Sequence, residues 1–447
     1  MEEHGFTRRG ALAAGAIALG GALAPPPVAH AATHAANRPA PGEPGAAEFL
    51  WGTAISAHQS EGNDVNSDFW LLENLPESIF REPSGDACDS YHRYEQDLDI
   101  ARAIGLNAYR FGIEWARIEP EPGVFSIAEL DRYARVLEAC RARGLLPIVS
   151  YNHFSVPRWF AMRGGWEVAD SADLFARFCG RATEALGQYI GMASPMNEAN
   201  IHRLYTVMSA LLPAGQQEKR RAMIAAAAKA TNAPGFSCLM FADPERIDAH
   251  LMDAHAKAYQ AIKAGRGDFP VGVTLTTQDL QPVGQASIAS AMEERLYGSW
   301  WDAVNASDFV GVQAYSRLRF DAKGIVPPPP GAELTAAGYE YYPQALGATI
   351  RLAARRTAKP IYVTETGIAT RDDGRRIAFI DATVAQVRHC MAEGIDVKGY
   401  VYWSLLDNFE WTKGYDQQFG LVSVDRTTFA RTPKPSAAHL GRYAAGL

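Results

Sequence analysis

Two glutamates stand where a chain of alternating strands and helices can bring distant side chains together. Thr364-Glu365-Thr366 follows apolar Ile361 and Val363 and precedes Gly367, and Met196-Asn197-Glu198 closes an earlier apolar run. Each reads as a carboxylate presented at the C-terminal end of a buried strand. Paired carboxyls of this kind suit the cleavage of an acetal, in which one gives a proton to the departing oxygen and the other meets the positive charge building on carbon. Glycosidic bond cleavage on a β/α barrel calls for this placement.

The elements that must position them are short apolar strands separated by longer amphipathic stretches. Strand candidates are Phe49–Ala54, Ala108–Ile113, Leu145–Tyr151, Ile190–Met196, Val271–Leu275, Phe309–Val312, Ile361–Thr364 and Gly399–Trp403, each a run too short for a helix of ordinary length. Helical periodicity covers Ile127–Arg143, Ala172–Leu186, Asp248–Ala264, Pro343–Ala354 and Ile377–Glu393, where apolar positions recur near every 3.6 residues. The expected fold class is α/β, a single (β/α)8 TIM barrel, because right-handed crossovers leave the helices outside a closed sheet. A doubly wound open sheet is the rival. It usually carries a GxGxxG turn after its first strand, and none follows Phe49–Ala54.

Barrel chemistry sits where the strands end. The first strand runs into His58, Gln59, Glu61 and Gly62, the second ends near Arg110 and Glu114-Trp115, and the third at Asn152-His153-Phe154. Asn197 and Glu198 close the fourth, Gln313 and Tyr315 the sixth, Glu365 the seventh and Trp403 the eighth. Such a ring of hydrogen-bonding and stacking groups suits a polyhydroxylated ligand.

Composition narrows the partners. The chain of 447 residues is 47% hydrophobic with a net charge of -7, and no cluster of Lys and Arg suits a phosphate backbone, so nucleic acid is not an expected partner. Thr7-Arg8-Arg9-Gly10 precedes a weakly apolar run from Ala11 to Ala24, and Ala29-His30-Ala31 offers a small-x-small cleavage site. Residues 1–31 therefore read as a twin-arginine-type export signal, giving a periplasmic or extracellular location. The apolar run is shorter than the ~20 residues that span a bilayer, so stable membrane insertion is not expected. Residues 32–47, rich in Pro and Ala, read as a linker before a catalytic domain at 48–447. Cys88, Cys140, Cys179, Cys238 and Cys390 lack metal-ligand spacing, which leaves no metal site. Cys140 and Cys179 read as core residues. One disulfide among the other three stays open.

The longer motifs are specific. Trp51-Gly52-Thr53-Ala54 through Gln59 and Glu61-Gly62, Tyr109-Arg110-Phe111 through Trp115, His153-Phe154 with Pro157 and Trp159, Asn197-Glu198, Thr364-Glu365-x-Gly367, and Trp403 through Trp411 followed by Gly414-Tyr415 and Phe419-Gly420 resemble glycoside hydrolase family 1, the β-glucosidase family of retaining exo-acting enzymes. The resemblance runs from about Phe49 to Leu447 and implies Glu198 as acid/base and Glu365 as nucleophile. It also implies that Gln59, His153, Asn197, Glu410 and Trp411 contact the sugar hydroxyls, that Trp403 forms a stacking floor and that Phe419 closes the site.

Chemistry agrees with those roles. A covalent sugar ester needs the two carboxyls only ~5 to 5.5 Å apart. Arg110 would keep Glu365 ionised, Tyr315 could donate to the same carboxylate, and Glu198, with no cation beside it in sequence, should hold its proton longer. The expected partner is a small β-glycoside, with a 6-phosphate disfavoured by Glu410, and the route needs no cofactor. Ala199 stands where the family has proline, Thr366 where it has asparagine, Gly112 where it has serine, and Gln313-Ala314-Tyr315 where it has an asparagine and two tyrosines. Ala- and Arg-rich sequence replaces the usual loop between Ile201 and Met240. A transglycosidase using the same carboxylates, or a sugar-binding protein without turnover, are the alternative readings.

Overall fold

The computed structural model describes residues 49–209 and 213–446. The expected export signal and linker lie outside the described residues. Barrel strands are Leu50–Ala54 (β1), Ala108–Gly112 (β2), Leu146–Asn152 (β3), Met192–Met196 (β4), Val273–Pro282 (β5), Val310–Phe320 (β6), Ile361–Thr366 (β7) and Val397–Trp403 (β8). Neighbours run β4-β3-β2-β1-β8-β7-β6-β5, all in parallel. The two ends of that path meet at the parallel bridge Ala193 to Val271, where Ala193 N donates to Pro270 O at 3.0 Å and Gly272 N to Ala193 O at 2.9 Å. Sequential strands thus pair in order around a closed ring, which is the barrel and not the open-sheet rival.

Residues facing inward make a small separate core. Ala54, Ala108, Ile148, Met192, Phe309, Val401 and Trp403 pack inside the barrel, small side chains on some strands making room for large ones on others. Helices cover the outside. In Ser171–Leu186, Phe175, Phe178, Cys179, Ala182 and Leu186 are fully buried, one stripe at helical spacing. Each large apolar side chain so buried contributes about 1.5–3 kcal/mol. Phe178 stacks on Trp115 at 5.1 Å, which ties that helix to the short turn after β2.

Two strands extend well past their expected ends. Sequence reading stopped β5 at Leu275 and β6 at Val312, yet their ladder continues to Pro282 opposite Phe320, with an irregularity between Thr277 and Asp279. From Gln278 onward β5 is only half-buried, so its polar residues there end the apolar run without ending the strand. A second difference is the helix Pro244–Lys263, which starts one turn before the expected Asp248 because Asp243 accepts from Glu245 N at its N-cap. All five cysteines are buried free thiols, so the open question of a disulfide resolves against one. Among the described residues, no helix is long and apolar enough to cross a membrane.

Candidate active site

Arg110 lies in the middle of β2 with its side chain 1% exposed, and Glu365 ends β7 with its side chain 5% exposed. Nη1 of Arg110 donates to Oε1 of Glu365 at 2.5 Å, and the Tyr315 hydroxyl donates to Oε2 at 2.8 Å. Burial raises the Glu365 carboxyl above its ordinary range, and Arg110 and Tyr315 oppose the rise. The expectation that Arg110 sets its charge is thereby amended: the cation limits the effect of burial and does not depress the group outright.

Glu198 sits two residues beyond β4 with φ of 44°, a left-handed backbone that costs a non-glycine residue about 1–2 kcal/mol. The flanking turn is pinned from β5. Thr274 Oγ1 accepts from Glu198 N at 3.3 Å, and Ala199 N donates to Thr274 O at 3.0 Å. A proline at 199, as in the family pattern, could not make that second bond. Burial, and next the charge of Glu365, push Glu198 up to about 8, against a hydrogen bond from Thr276 and the more distant Arg110. Of the two carboxyls, the one held by a guanidinium and a phenol ionises first, which leaves the other protonated.

Asn197 joins the two halves. Nη2 of Arg110 and Nε2 of Gln313 both donate to its Oδ1, the latter at 2.8 Å. A guanidinium can only donate, so the amide orientation is fixed and Nδ2 faces His153 Nε2 at 3.1 Å. That ring nitrogen must accept, which puts the His153 proton on Nδ1, a buried atom with no partner. Burial and the Arg110 charge hold His153 well below its usual value, hence neutral. Asn197 Nδ2 therefore keeps a second N–H for a ligand, while the His153 proton is turned into the protein.

On the far wall, Gln59 Nε2 at 3.1 Å and Trp403 Nε1 at 3.2 Å both donate to Oε1 of Glu410. Burial moves the Glu410 carboxyl up to about 8, with Trp403 and Gln59 pulling it down and the Glu365 charge adding to the rise. His153 stacks on Trp403 at 5.5 Å and 20°, and Phe419 meets Tyr315 edge-on at 6.0 Å.

Gln59, His153, Asn197, Glu198 and Tyr315 line one cavity of about 1150 Å³. Glu365, Trp403, Glu410, Trp411 and Phe419 complete its inner wall. Arg110 is the one candidate that lies beneath the cavity instead of facing it. The sequence model described as glycosyl hydrolase family 1 matches residues 44–311 and 314–445.

The chain belongs to glycosyl hydrolase family 1. As a member of glycosyl hydrolase family 1 it is a retaining, exo-acting β-glycosidase on a TIM barrel. It is 28% identical over 454 residues to β-glucosidase A of Thermotoga maritima, covering 87% of this chain and 95% of that one. The apo structure of a β-glucosidase designated 1317 superposes with a TM-score of 0.85 at 45% identity, covering 89% of this chain and 98% of that one. A β-glucosidase from Thermotoga maritima in complex with glucoimidazole superposes with a TM-score of 0.78 at 25% identity, over 89% and 98% of the two chains.

Within this family member, sequence reading passed over the fifth strand. Thr276 lines the cavity beside Glu198 and acts to lower its pKa, and it falls one residue beyond the expected end of β5. Tyr339 and Tyr205 also line it. Neither belongs to a strand end, so the rule that chemistry sits at strand ends could not find them. The helix Ala214–Ala230 supplies a further wall; its Ala-rich composition, high in helix propensity, was the available sign.

Proposed function

We propose that the chain hydrolyses the non-reducing terminal unit of unphosphorylated β-glucosides, or of closely related β-galactosides and β-fucosides, with Glu365 as nucleophile and Glu198 as acid/base. The observation that carries this reading is the unequal treatment of two carboxyls on one cavity. Glu365 is held by Arg110 and Tyr315, while Glu198 is pushed to about 8. Attack of the Glu365 carboxylate on the anomeric carbon breaks the bond to the aglycone oxygen, which takes the Glu198 proton. Glu198 then removes a proton from water, whose oxygen replaces Glu365 on the same carbon, and configuration is retained.

Asn197 offers an N–H to the sugar, His153 a ring on the same wall, Gln59 and Glu410 a shared polar wall, and Trp403 with Trp411 flat faces for the ring. Among the described residues Glu410 has Gln59 and Trp403 as partners and no paired cation, so a 6-phosphate would find no counter-charge there. The complex of the Thermotoga maritima relative with glucoimidazole supports a glucose-sized occupant. The deciding experiment is covalent trapping with an activated 2-deoxy-2-fluoro β-glucoside. Mass spectrometry should find the sugar ester on Glu365; a label on any other residue, or an inverted product, ends this assignment.

Export through the twin-arginine route is a further part of the reading, supported by Arg8-Arg9 ahead of the weakly apolar run. Replacing both arginines with lysine should retain the protein in the cytoplasm, as followed by cell fractionation. Unchanged export would remove the twin-arginine route.

A further inference from the structure

The cavity extends well past the space around the two carboxyls. At about 1150 Å³ it exceeds the ~300–1,000 Å³ of ordinary small-molecule sites, so a single sugar leaves much of it open. Its outer wall comes from the segment that departs from the family pattern. In helix Ala214–Ala230, Gln216, Lys219 and Arg220 occur at i, i+3 and i+4 and face the cavity. Met223, one turn further on, is fully buried and anchors that face.

The charge there is unbalanced. Arg220 is half-buried, and burial lowers its pKa, with Tyr205 the group that acts to raise it. It lies 5.7 Å from the Phe241 ring. Arg317, on the same cavity, is by contrast neutralised by a two-pronged contact with Glu340 at 2.6 and 2.9 Å. Lys219 and Lys413 add two more cations to the outer wall, against the carboxylate of Glu77 among the described residues there. Tyr205, on the helix Ile201–Ser209 that follows directly on Glu198, lines the same cavity as Arg220, and this wall, outside the inner carboxyls, is the one open to a leaving group. Leu204, Tyr205 and Met208 give the intervening wall an apolar surface.

Resting on the glycosidase reading above, we propose that this wall selects an aromatic aglycone carrying an acidic group, with Arg220 as its principal anion contact and Lys219 in support. Among the described residues no carboxylate pairs with Arg220, a partly desolvated guanidinium without a counter-ion is costly, and a ligand carboxylate would satisfy it through the planar two-donor fork that arginine offers. The apolar wall accepts the ring. The charge of Glu365 disfavours the acidic group at the sugar end and so orients the substrate.

The test compares 3-carboxyphenyl β-glucoside with its methyl ester, taking the ratio of kcat/KM for acid over ester. In the double ratio between protein variants, the intrinsic reactivity of the two leaving groups cancels. Arg220→Gln should lower the acid/ester ratio about tenfold, as expected for loss of one charge-assisted hydrogen bond. Lys219→Gln should lower it less, and Arg220→Lys should restore part of it. Added salt should lower the ratio in the unmodified protein and much less in Arg220→Gln. An acid/ester ratio equal in all variants overturns the anionic-aglycone proposal while leaving the glycosidase reading intact. Failure to cleave either compound overturns both.

Discussion

Arg110 spans the barrel from β2 to place Nη1 2.5 Å from Oε1 of Glu365 on β7, and its second amino group donates to Asn197 Oδ1. One guanidinium therefore positions both the Glu365 carboxylate and the neighbour of Glu198. Arg110→Met should destabilise the fold by about 3–5 kcal/mol, since it leaves a buried carboxylate unpaired, as read by urea denaturation. It should also move the acidic limb of the kcat/KM profile to higher pH, because Glu365 loses the charge that opposes burial. A profile with its acidic limb unmoved would mean that Arg110 does not set the ionisation of Glu365.

Glu198 must be protonated for the first step, so kcat/KM should fall as pH rises through about 8. The Glu365 charge contributes to that position, and Glu365→Gln should shift the Glu198 titration downward. Carbon-13 NMR of labelled glutamate in the variant measures this directly. A Glu198 titration that stays where it was would show burial acting alone.

The same shift has a cost in stability. Folded Glu198 holds its proton up to about 8, whereas the unfolded carboxyl releases it near ~4.3. Between those values the folded state binds more protons, so stability falls as pH rises. Glu198→Gln should raise the melting temperature by an amount close to zero at pH 4 and largest by pH 8. A gain independent of pH would contradict the assigned cause.

Leaving-group chemistry separates the two glutamates. Glu198→Gln should slow alkyl glucosides by orders of magnitude and barely affect cleavage of activated aryl glucosides in the first step, because only poor leaving groups need the proton. Glu365→Ala should abolish both while preserving inhibitor binding by calorimetry. Parallel losses across all substrates in Glu198→Gln would remove it as the acid.

Behind the sugar wall, His58 is fully buried between Asp64 at 3.1 Å and Glu73 at 2.7 Å, and its ring stacks on Trp411 at 5.8 Å and 3°. Burial opposes its protonation, yet Glu73 and Asp64 raise it well above the usual histidine range. Its stabilising charge is fully present below the unfolded value of ~6.5 and is lost only as pH climbs through the higher folded value. His58→Phe should cost about 3–5 kcal/mol by stranding two buried carboxylates and should raise KM through Trp411. Unaltered KM in a folded variant would confine His58 to stability.

Strand and helix periods made the barrel legible, since parallel strands buried on both faces are apolar runs that even a single sequence displays. Where that rule failed, in β5 and β6, polar residues entered the strands, still buried at Thr276, Thr277 and Gln313 and half-buried further out, so an apolar run no longer marked the strand. Thr276 was lost with it. Glu198 and Glu365 were legible as strand-end residues of the right chemical type, whereas Arg110, expected at the end of the second strand, lies in the middle of β2.

By itself the sequence determined the repeating order of strands and helices, the identity of the polar groups at their ends and the motifs that assign the family, because these are local properties of residue type and spacing. Only the tertiary structure decided the unequal environments of Glu198 and Glu365, the orientation of the Asn197 amide with the His153 proton it dictates, and the cationic helix beside the leaving-group space. Each of those depends on burial and on distances between residues far apart in the chain, and both come into existence only when the barrel closes.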